Sequence, residues 1–236
     1  FFSENPYDWR SEIKNSANEL TKNTPLVSGR SSNGKFNVVA HSMGGLVTKE
    51  YLNLTTDTTN IDKVIFMGTP NLGAPKAAKI VLEGDDLDIN ILGVAGLNTA
   101  EVKKIAQNFP SIYQLLPSKK YFASSGGYIA DSRTGLTGSA LSYDQTASFM
   151  QNYDPTFNAG LFTNATTFHD ALDNAPLPSS VRAFNIIGCG NTNTIGGLRL
   201  QDDNSFRIDY TIGDKTVPLT SAIAIPGSEK TYFSRA

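Results

Sequence analysis

The sequence has few of the residues that build metal centres, disulfides or strongly charged surfaces. Cys189 is the only cysteine, which excludes an intrachain disulfide and a cysteine-rich metal cluster. His41 and His169 are the only histidines, so a histidine-dominated metal site is not expected either. The formal net charge is −2, so no overall field attracts nucleic acid. The sequence therefore predicts no metal ion and no nucleic-acid partner, and function must come from a local arrangement of residues.

Long apolar runs and nucleotide motifs are also missing. No run approaches the roughly 20 apolar residues that span a bilayer. The chain begins FFSENPYDWR, without an initiator Met and without the basic start and apolar run of a signal peptide. We therefore expect a fragment or a processed product of a longer protein. There is no Gly-x-Gly-x-x-Gly after a strand and no Walker sequence, so dinucleotide and phosphoryl chemistry are disfavoured and no cofactor is expected.

Residues 36 to 70 predict a strand, a tight turn, a helix and a second strand. The first strand is FNVVA, a short β-branched run of the kind that is buried on both faces of a sheet. A pair of glycines then leads into LVTKEYLNL, which has a helical pattern. IDKVIFMGTP predicts the second buried strand, so the unit is βαβ and its strands are parallel. The fold class is therefore α/β.

The rest of the chain divides into a core and an insertion. SEIKNSANELTKNT (11–24) predicts an amphipathic helix that ends at Pro25. VRAFNIIG (181–188) predicts a further strand, residues 189–213 one or two hairpins, and KTYFS a last strand. Cys189, directly after a predicted strand, is expected to be a small buried apolar side chain. Residues 76–180 are predicted to form a lid over the carboxyl ends of the strands, and residues 1–75 with 181–236 the core.

Ser42 lies in AHSMGG, at the predicted turn between strand and helix. A serine hydroxyl needs a neighbouring base to act as a nucleophile, and a strand-to-helix elbow presents it where a base can reach it. Small residues at Ala40 and Gly44 allow the sharp turn, and the backbone N–H of Met43 is the expected oxyanion donor. The alternative is an ordinary serine in a glycine-rich loop, but the strand–turn–helix setting favours the nucleophile.

Asp214 in GDKTVP is the candidate acid that orients a histidine. The alternative is an Asp in a simple Gly-Asp turn. No histidine follows Asp214. His41 directly precedes the serine, so we expect its side chain to point away from Ser42 and to be buried and hydrogen-bonded. His169 lies in an apparently helical stretch before Asp214, and as a base it would break the Ser–Asp–His order of this architecture.

Several segments together resemble the lecithin:cholesterol acyltransferase-like branch of the α/β-hydrolases. The matching motifs, in order along the chain, are PYDWR, AHSMGG, GTPNLGAP, FPSIYQLLPS and GDKTVP. Lys215 departs from the glycine that the family usually has after the acid. The resemblance implies an α/β-hydrolase fold, a mostly parallel sheet with a lid or cap insertion, incomplete at both ends. It also implies that the catalytic histidine and a second oxyanion donor lie outside these residues, so we expect weak or no activity from this chain alone.

The expected parent protein is a serine esterase, lipase or acyltransferase that acts on a lipid or a small apolar ester, with possible transient contact to a lipid surface. Six apolar residues of the insertion can line an acyl pocket or form the insertion's own core: Phe109, Ile112, Tyr113, Leu115, Leu116 and Tyr121. Two alternatives stay open, a noncatalytic binding module and a serine amidase or peptidase. Flanking segments or another chain are needed to complete the site. The resemblance and the low surface charge favour a secreted or cell-surface location.

Overall fold

The computed structural model describes residues 1–84 and 98–235, and the fold is described for these residues. Their strands, in chain order, are β1 (Phe36–His41), β2 (Ile61–Met67), β3 (Ile129–Asp131), β4 (Arg182–Gly188), β5 (Asn191–Leu200), β6 (Phe206–Gly213) and β7 (Lys230–Ser234). A parallel sheet has the order β1-β2-β4-β7. A second sheet has the order β3-β5-β6, in which β5 and β6 are antiparallel. The predicted α/β class with a mostly parallel sheet is confirmed.

The described residues also form helices. They are α1 (Ile13–Gly29), α2 (Met43–Leu54), α3 (Pro75–Leu82), α4 (Thr99–Ala106), α5 (Pro110–Gln114), α6 (Lys119–Ser125), α7 (Tyr143–Tyr153), α8 (Ala159–Leu172) and α9 (Leu219–Ala222). Within the described residues, no helix combines the length and the hydrophobicity that crossing a bilayer requires. The predicted βαβ unit is β1, α2 and β2.

Helix α1 continues past Pro25, so the predicted end of this helix was wrong. Proline has no N–H and therefore leaves the carbonyl of the fourth preceding residue without its helical donor. Here that carbonyl belongs to Thr21, and the hydroxyl of Thr24 donates to it at 3.1 Å. A neighbouring side chain thus replaces the missing backbone bond, and the helix runs on to Gly29.

Helices α1, α2 and α8 pack on one face of the parallel sheet. Val64 and Phe66 of β2 are buried against residues of α1, α2 and α8. On the opposite face, Val39 of β1 is 62% exposed. The prediction that FNVVA is buried on both faces was therefore wrong, because β1 is an edge strand and side chains alternate between the two faces.

The predicted hairpin after residue 189 is confirmed as β5 and β6, and the predicted last strand as β7, which pairs with β4. The short strand β3 comes from the stretch that the sequence marked as glycine-rich turns. It pairs with β5, so the stretch between β2 and β4 is joined by backbone hydrogen bonds to a strand that follows β4.

The six apolar residues proposed for an acyl pocket or a local core pack in the hydrophobic core. Ile112, Tyr113, Leu116 and Tyr121 are buried in one cluster, which also contains residues of α3 and β5. Phe109 and Leu115 are partly buried against the same cluster. These side chains therefore pack in a core that residues 76–180 share with β5, and not in a core of their own.

Asp154 ties α4 to the end of α7. Its carboxylate accepts hydrogen bonds from the Gln107 amide at 2.6 Å and from the Thr156 hydroxyl and N–H at 2.6 and 2.9 Å. The Lys103 ammonium lies 2.7 Å from the same carboxylate. Burial raises the pKa of Asp154, but these donors outweigh it and lower the pKa to about 2.

The Asp154→Asn variant is expected to lose about 2 kcal/mol of unfolding free energy near neutral pH. The folded pKa lies below the unfolded value, so this stability is present above about pH 4 and is lost as the pH falls toward 2. Urea unfolding of the native chain and the variant between pH 2 and pH 7 measures the difference. Glu4→Gln, which removes an exposed carboxylate, is the control. Equal losses in both variants would contradict the prediction.

Candidate active site

Ser42 lies between β1 and α2 in a strained backbone conformation. Its φ is 53° and its ψ is −128°, a region that a residue with a side chain rarely adopts and that costs on the order of 1–3 kcal/mol. The Ser42 N–H donates to the Met67 carbonyl at 2.9 Å, which fixes the turn to the end of β2. The hydroxyl makes no capping hydrogen bond to α2. The turn therefore holds Ser42 without using its side chain.

The first turn of α2 packs closely on the segment after β2. A Cβ on Gly45 would lie 2.0 Å from the Thr69 hydroxyl oxygen, so a side chain at this position requires a shift of the helix or of Thr69. Gly44 is less restricted, because the nearest atom to its Cβ position is the Tyr7 hydroxyl at 3.7 Å. The closest approach thus falls at Gly45, one residue beyond the Gly44 of the motif.

Met43 is the first residue of α2. The first four N–H groups of a helix have no intrahelical acceptor, so the Met43 N–H is available at the carboxyl edge of the sheet. The Met43 side chain is 8% exposed and belongs to the core cluster of α1, α2 and the parallel sheet. The Met43 side chain therefore packs in the core, while the Met43 N–H stays available as a donor.

Asp214 follows β6 in a short closed loop. Its Oδ1 accepts hydrogen bonds from the N–H groups of Thr216 at 2.9 Å and Val217 at 2.7 Å. Lys215 between them has a φ of 81°, and its N–H donates to the Thr194 hydroxyl at 2.9 Å. The loop therefore adopts a left-handed conformation at Lys215 although the glycine of related motifs is missing.

Two glycines at strand ends bring Asp214 to the edge that carries Ser42. A Cβ on Gly188, at the end of β4, would lie 2.6 Å from the Asp214 Cβ. A Cβ on Gly68, directly after β2, would lie 3.0 Å from Asp214 Oδ2. Ser42 follows β1, and β2 lies between β1 and β4. Because Gly68 directly follows β2, Asp214 Oδ2 lies one strand away from the strand that leads to Ser42, about one inter-strand spacing of 4.8 Å across the sheet.

The two histidines lie in different surroundings. His41 is exposed rather than buried, so that prediction was wrong; it lies on the edge strand, on the same face as Val39. His169 is 4% exposed in α8. Its Nδ1 lies 2.9 Å from Asp173 Oδ1, and its Nε2 donates to the Gln114 carbonyl at 2.9 Å. Both nitrogens of His169 are therefore occupied within the protein.

Cys189 and the metal-ligating residues lie outside this arrangement. Cys189 is half-buried rather than buried, and its Sγ donates to the Ser234 carbonyl at 3.5 Å. It lies just past the end of β4, beside the exposed edge strand β7, which explains the partial exposure. Across residues 1–84 and 98–235, no group of three or more His, Cys, Asp or Glu side chains is placed to hold a metal ion.

An open cavity of about 580 Å³ lies elsewhere, between the 135–141 loop and α7. Leu136, Leu141 and Phe149 contribute to its lining, and neither Ser42 nor Asp214 does. The candidate site, in which Ser42 and Asp214 are both partly buried, is therefore not part of this cavity.

The residues that sequence reasoning missed are the glycines at the ends of the strands. Gly68 and Gly188 make room for Asp214, and Gly45 makes room for Thr69. A signal for the first two was present, because each directly ends a predicted buried strand, in FMGTP and in NIIGC. The Thr194 hydroxyl that holds Lys215 comes from the middle of a predicted hairpin, and no local pattern indicates that contact.

The parallel sheet, with a helix that begins directly after Ser42, defines a mixed α/β protein. Residues 2–205 match the family model described as Lecithin:cholesterol acyltransferase, which is well over half of the chain. The chain therefore belongs to the lecithin:cholesterol acyltransferase family, as its motifs predict.

A solved structure described as "The crystal structure of Tle4-Tli4 complex" is similar to this chain, with a TM-score of 0.69 and 18% sequence identity. The match covers 97% of this chain and 60% of that chain, so this chain spans about three fifths of the solved one. At this identity the likeness concerns the fold. No curated protein sequence matches the chain.

Proposed function

We propose that this chain carries the nucleophile and the acid of a serine esterase, lipase or acyltransferase of the α/β-hydrolase type. Ser42 is the nucleophile, Asp214 the acid, and the Met43 N–H one oxyanion donor. The observation that carries the proposal is the strained backbone of Ser42 between β1 and α2, with a hydroxyl that α2 does not use. Backbone strain of this kind is typical of functional sites, where it holds a reactive side chain in position.

The reaction proceeds through an acyl-enzyme. Ser42 Oγ attacks the ester carbonyl carbon while its proton passes to an imidazole base, and the carbonyl oxygen becomes an oxyanion that accepts from the Met43 N–H. The imidazole then gives the proton to the leaving alcohol as the ester bond breaks. Water or an acceptor alcohol attacks the acyl group in the second half. Hydrolysis and acyl transfer share this intermediate, so both belong to the proposal.

The base and a second oxyanion donor are proposed to come from residues beyond these 236, on a flanking segment or on another chain. His41 is exposed on the edge strand and His169 has both nitrogens occupied. A partner chain is also present in the solved Tle4-Tli4 complex, which shares the fold. In this scheme residues 1–75 and 181–236 form the hydrolase core, residues 76–180 a lid, and the substrate is a lipid or a small apolar ester.

Exogenous imidazole tests this proposal on the chain itself. A fluorophosphonate probe reacts when serine Oγ attacks phosphorus, fluoride leaves and a base takes the proton. We expect the labelling rate to rise with imidazole concentration and mass spectrometry to find the probe on Ser42. Labelling on other residues would overturn the assignment of Ser42, and Ser42 labelling that is independent of imidazole would place the base within these 236 residues. Turnover of an ester and of its matched amide then separates an esterase from an amidase.

A noncatalytic binding module is the second candidate. It is favoured by His169, both of whose nitrogens are occupied within the protein. It predicts that Ser42 stays unlabelled at every imidazole concentration, and that a longer form of the protein is unlabelled as well.

A further inference from the structure

Lys215 adopts a backbone conformation that favours glycine. Three non-glycine residues of the described part have a positive φ: Ser42, Asn204 and Lys215. Asparagine tolerates the left-handed region, and Ser42 is the proposed nucleophile. Lys215, with a φ of 81°, has neither explanation. A left-handed residue with a Cβ costs roughly 1–2 kcal/mol relative to its usual conformation, so the lysine side chain is present at the expense of stability.

The loop, and not the lysine, sets this conformation. The Lys215 N–H donates to the Thr194 hydroxyl, and the N–H groups of the next two residues donate to Asp214 Oδ1. These bonds use only the backbone of Lys215, so a glycine would make the same ones. Nothing in the loop requires a lysine side chain.

The Lys215 side chain is exposed and directly follows the proposed acid. Its ammonium forms no ion pair or hydrogen bond with any residue in the described ranges. Asp214 does not hold it either, because Oδ1 faces the loop N–H groups and Oδ2 faces Gly68. Lys215 thus carries a positive charge that forms no ion pair with a described residue, and it directly follows the proposed acid.

We propose that Lys215 binds a negatively charged group of the ester substrate, at the mouth of the site beside Asp214. The proposal rests on the proposed function, since it gives that site a preference for anionic esters. The charged group is a carboxylate on a soluble ester or the phosphate of an anionic phospholipid headgroup. Both have the same chemistry toward an ammonium, which binds oxyanions as a compact point charge.

Binding to a chain that cannot form an acyl-enzyme tests this. The Ser42→Ala variant of the 236-residue chain does not cleave esters, so the affinity of the variant for an intact ester can be measured. The two esters compared are mono-4-nitrophenyl adipate and 4-nitrophenyl hexanoate, which have acyl chains of equal length and differ in the terminal carboxylate of the adipate. Adding Lys215→Met is expected to weaken binding of the adipate ester by about fivefold at low salt and to change the hexanoate affinity much less. A second pair is dihexanoyl phosphatidylglycerol, which is anionic, and dihexanoyl phosphatidylcholine, which is zwitterionic. If Lys215→Met weakens binding of the adipate ester more, the charged group is the carboxylate of a soluble ester; if it weakens binding of phosphatidylglycerol more, the group is a phospholipid phosphate.

Lys35→Met, which removes an exposed lysine just before β1 at the opposite edge of the sheet, is the matched control. Lys215→Gly is expected to weaken adipate binding equally and to raise Tm by about 2–4 °C, because the strain is relieved. The proposal is overturned if both members of each pair change equally, if Lys35→Met has the same effect, or if the adipate ester does not bind. A different result would overturn the catalytic assignment alone: the fluorophosphonate does not label Ser42, but Lys215→Met still weakens binding of the anionic esters.

Discussion

The Ser42→Ala variant is expected to lose imidazole-dependent fluorophosphonate labelling by at least about a thousandfold and to keep its stability within about 0.5 kcal/mol. The first effect follows because Oγ is the attacking atom in the proposed reaction. The second follows because the hydroxyl makes no capping bond, and alanine and serine bear a similar backbone strain at a φ of 53°. Labelling rates and urea unfolding measure the two effects.

Ser42→Gly separates the catalytic role from a structural one. It also removes the hydroxyl, so labelling is expected to be lost again. Glycine adopts a positive φ without the steric cost of a Cβ, and the variant is expected to be more stable than the native chain by about 1 kcal/mol. If Ser42→Ala lost several kcal/mol, the hydroxyl would be a structural group. If the alanine variant kept its labelling, Ser42 would not be the nucleophile.

The Lys49→Met variant is expected to stabilise the protein by up to about 3 kcal/mol near neutral pH. Lys49 lies in α2, is 3% exposed, and its ammonium has no hydrogen-bond partner among the described residues. Burial lowers its pKa to about 8; nearby Asp173 acts in the opposite direction, and Lys120 lowers the pKa further. Methionine has a similar shape and carries no charge, so it removes this desolvation cost. Urea unfolding at pH 7 measures the gain.

The pH dependence supplies a second test of Lys49. Its pKa is lower in the folded protein than the value of 10.5 that an unperturbed lysine has. Between pH 8 and pH 10.5 the unfolded chain keeps a proton that the folded chain releases, so the stability of the native protein rises with pH in this window. This rise is expected to be absent in Lys49→Met and retained in Lys35→Met. A less stable Lys49→Met variant would show that the ammonium has a stabilising partner.

Local patterns predicted the elements around the candidate site. FNVVA followed by a turn and a helical pattern corresponds to β1, Ser42 and α2, and the two hydrophobic runs that follow correspond to β2 and β4. Side-chain alternation and glycine placement act over a few residues, so they can be read along the chain. The family resemblance followed from the same short segments and is confirmed by the match over residues 2–205.

One error came from a local hydrogen bond, and the others came from the position of a strand in the sheet. Pro25 stays within α1 because the Thr24 hydroxyl replaces a backbone donor. Val39 and His41 are exposed because they lie on the outward side of β1, which is an edge strand. A β-branched run has the same sequence at the edge and at the centre of a sheet. Its pattern therefore predicts a strand and does not predict the neighbours of that strand.

The sequence by itself determined the βαβ unit, the family and the candidate side chains Ser42 and Asp214. The tertiary structure alone decided that Asp214 packs against Gly68 and Gly188, that His169 is held on both nitrogens, and that Lys215 keeps a left-handed backbone. The physical reason is the distance along the chain between the residues that interact. Backbone propensity and periodicity are set by near neighbours, whereas burial and the pairing of polar atoms depend on segments that only the folded chain brings together.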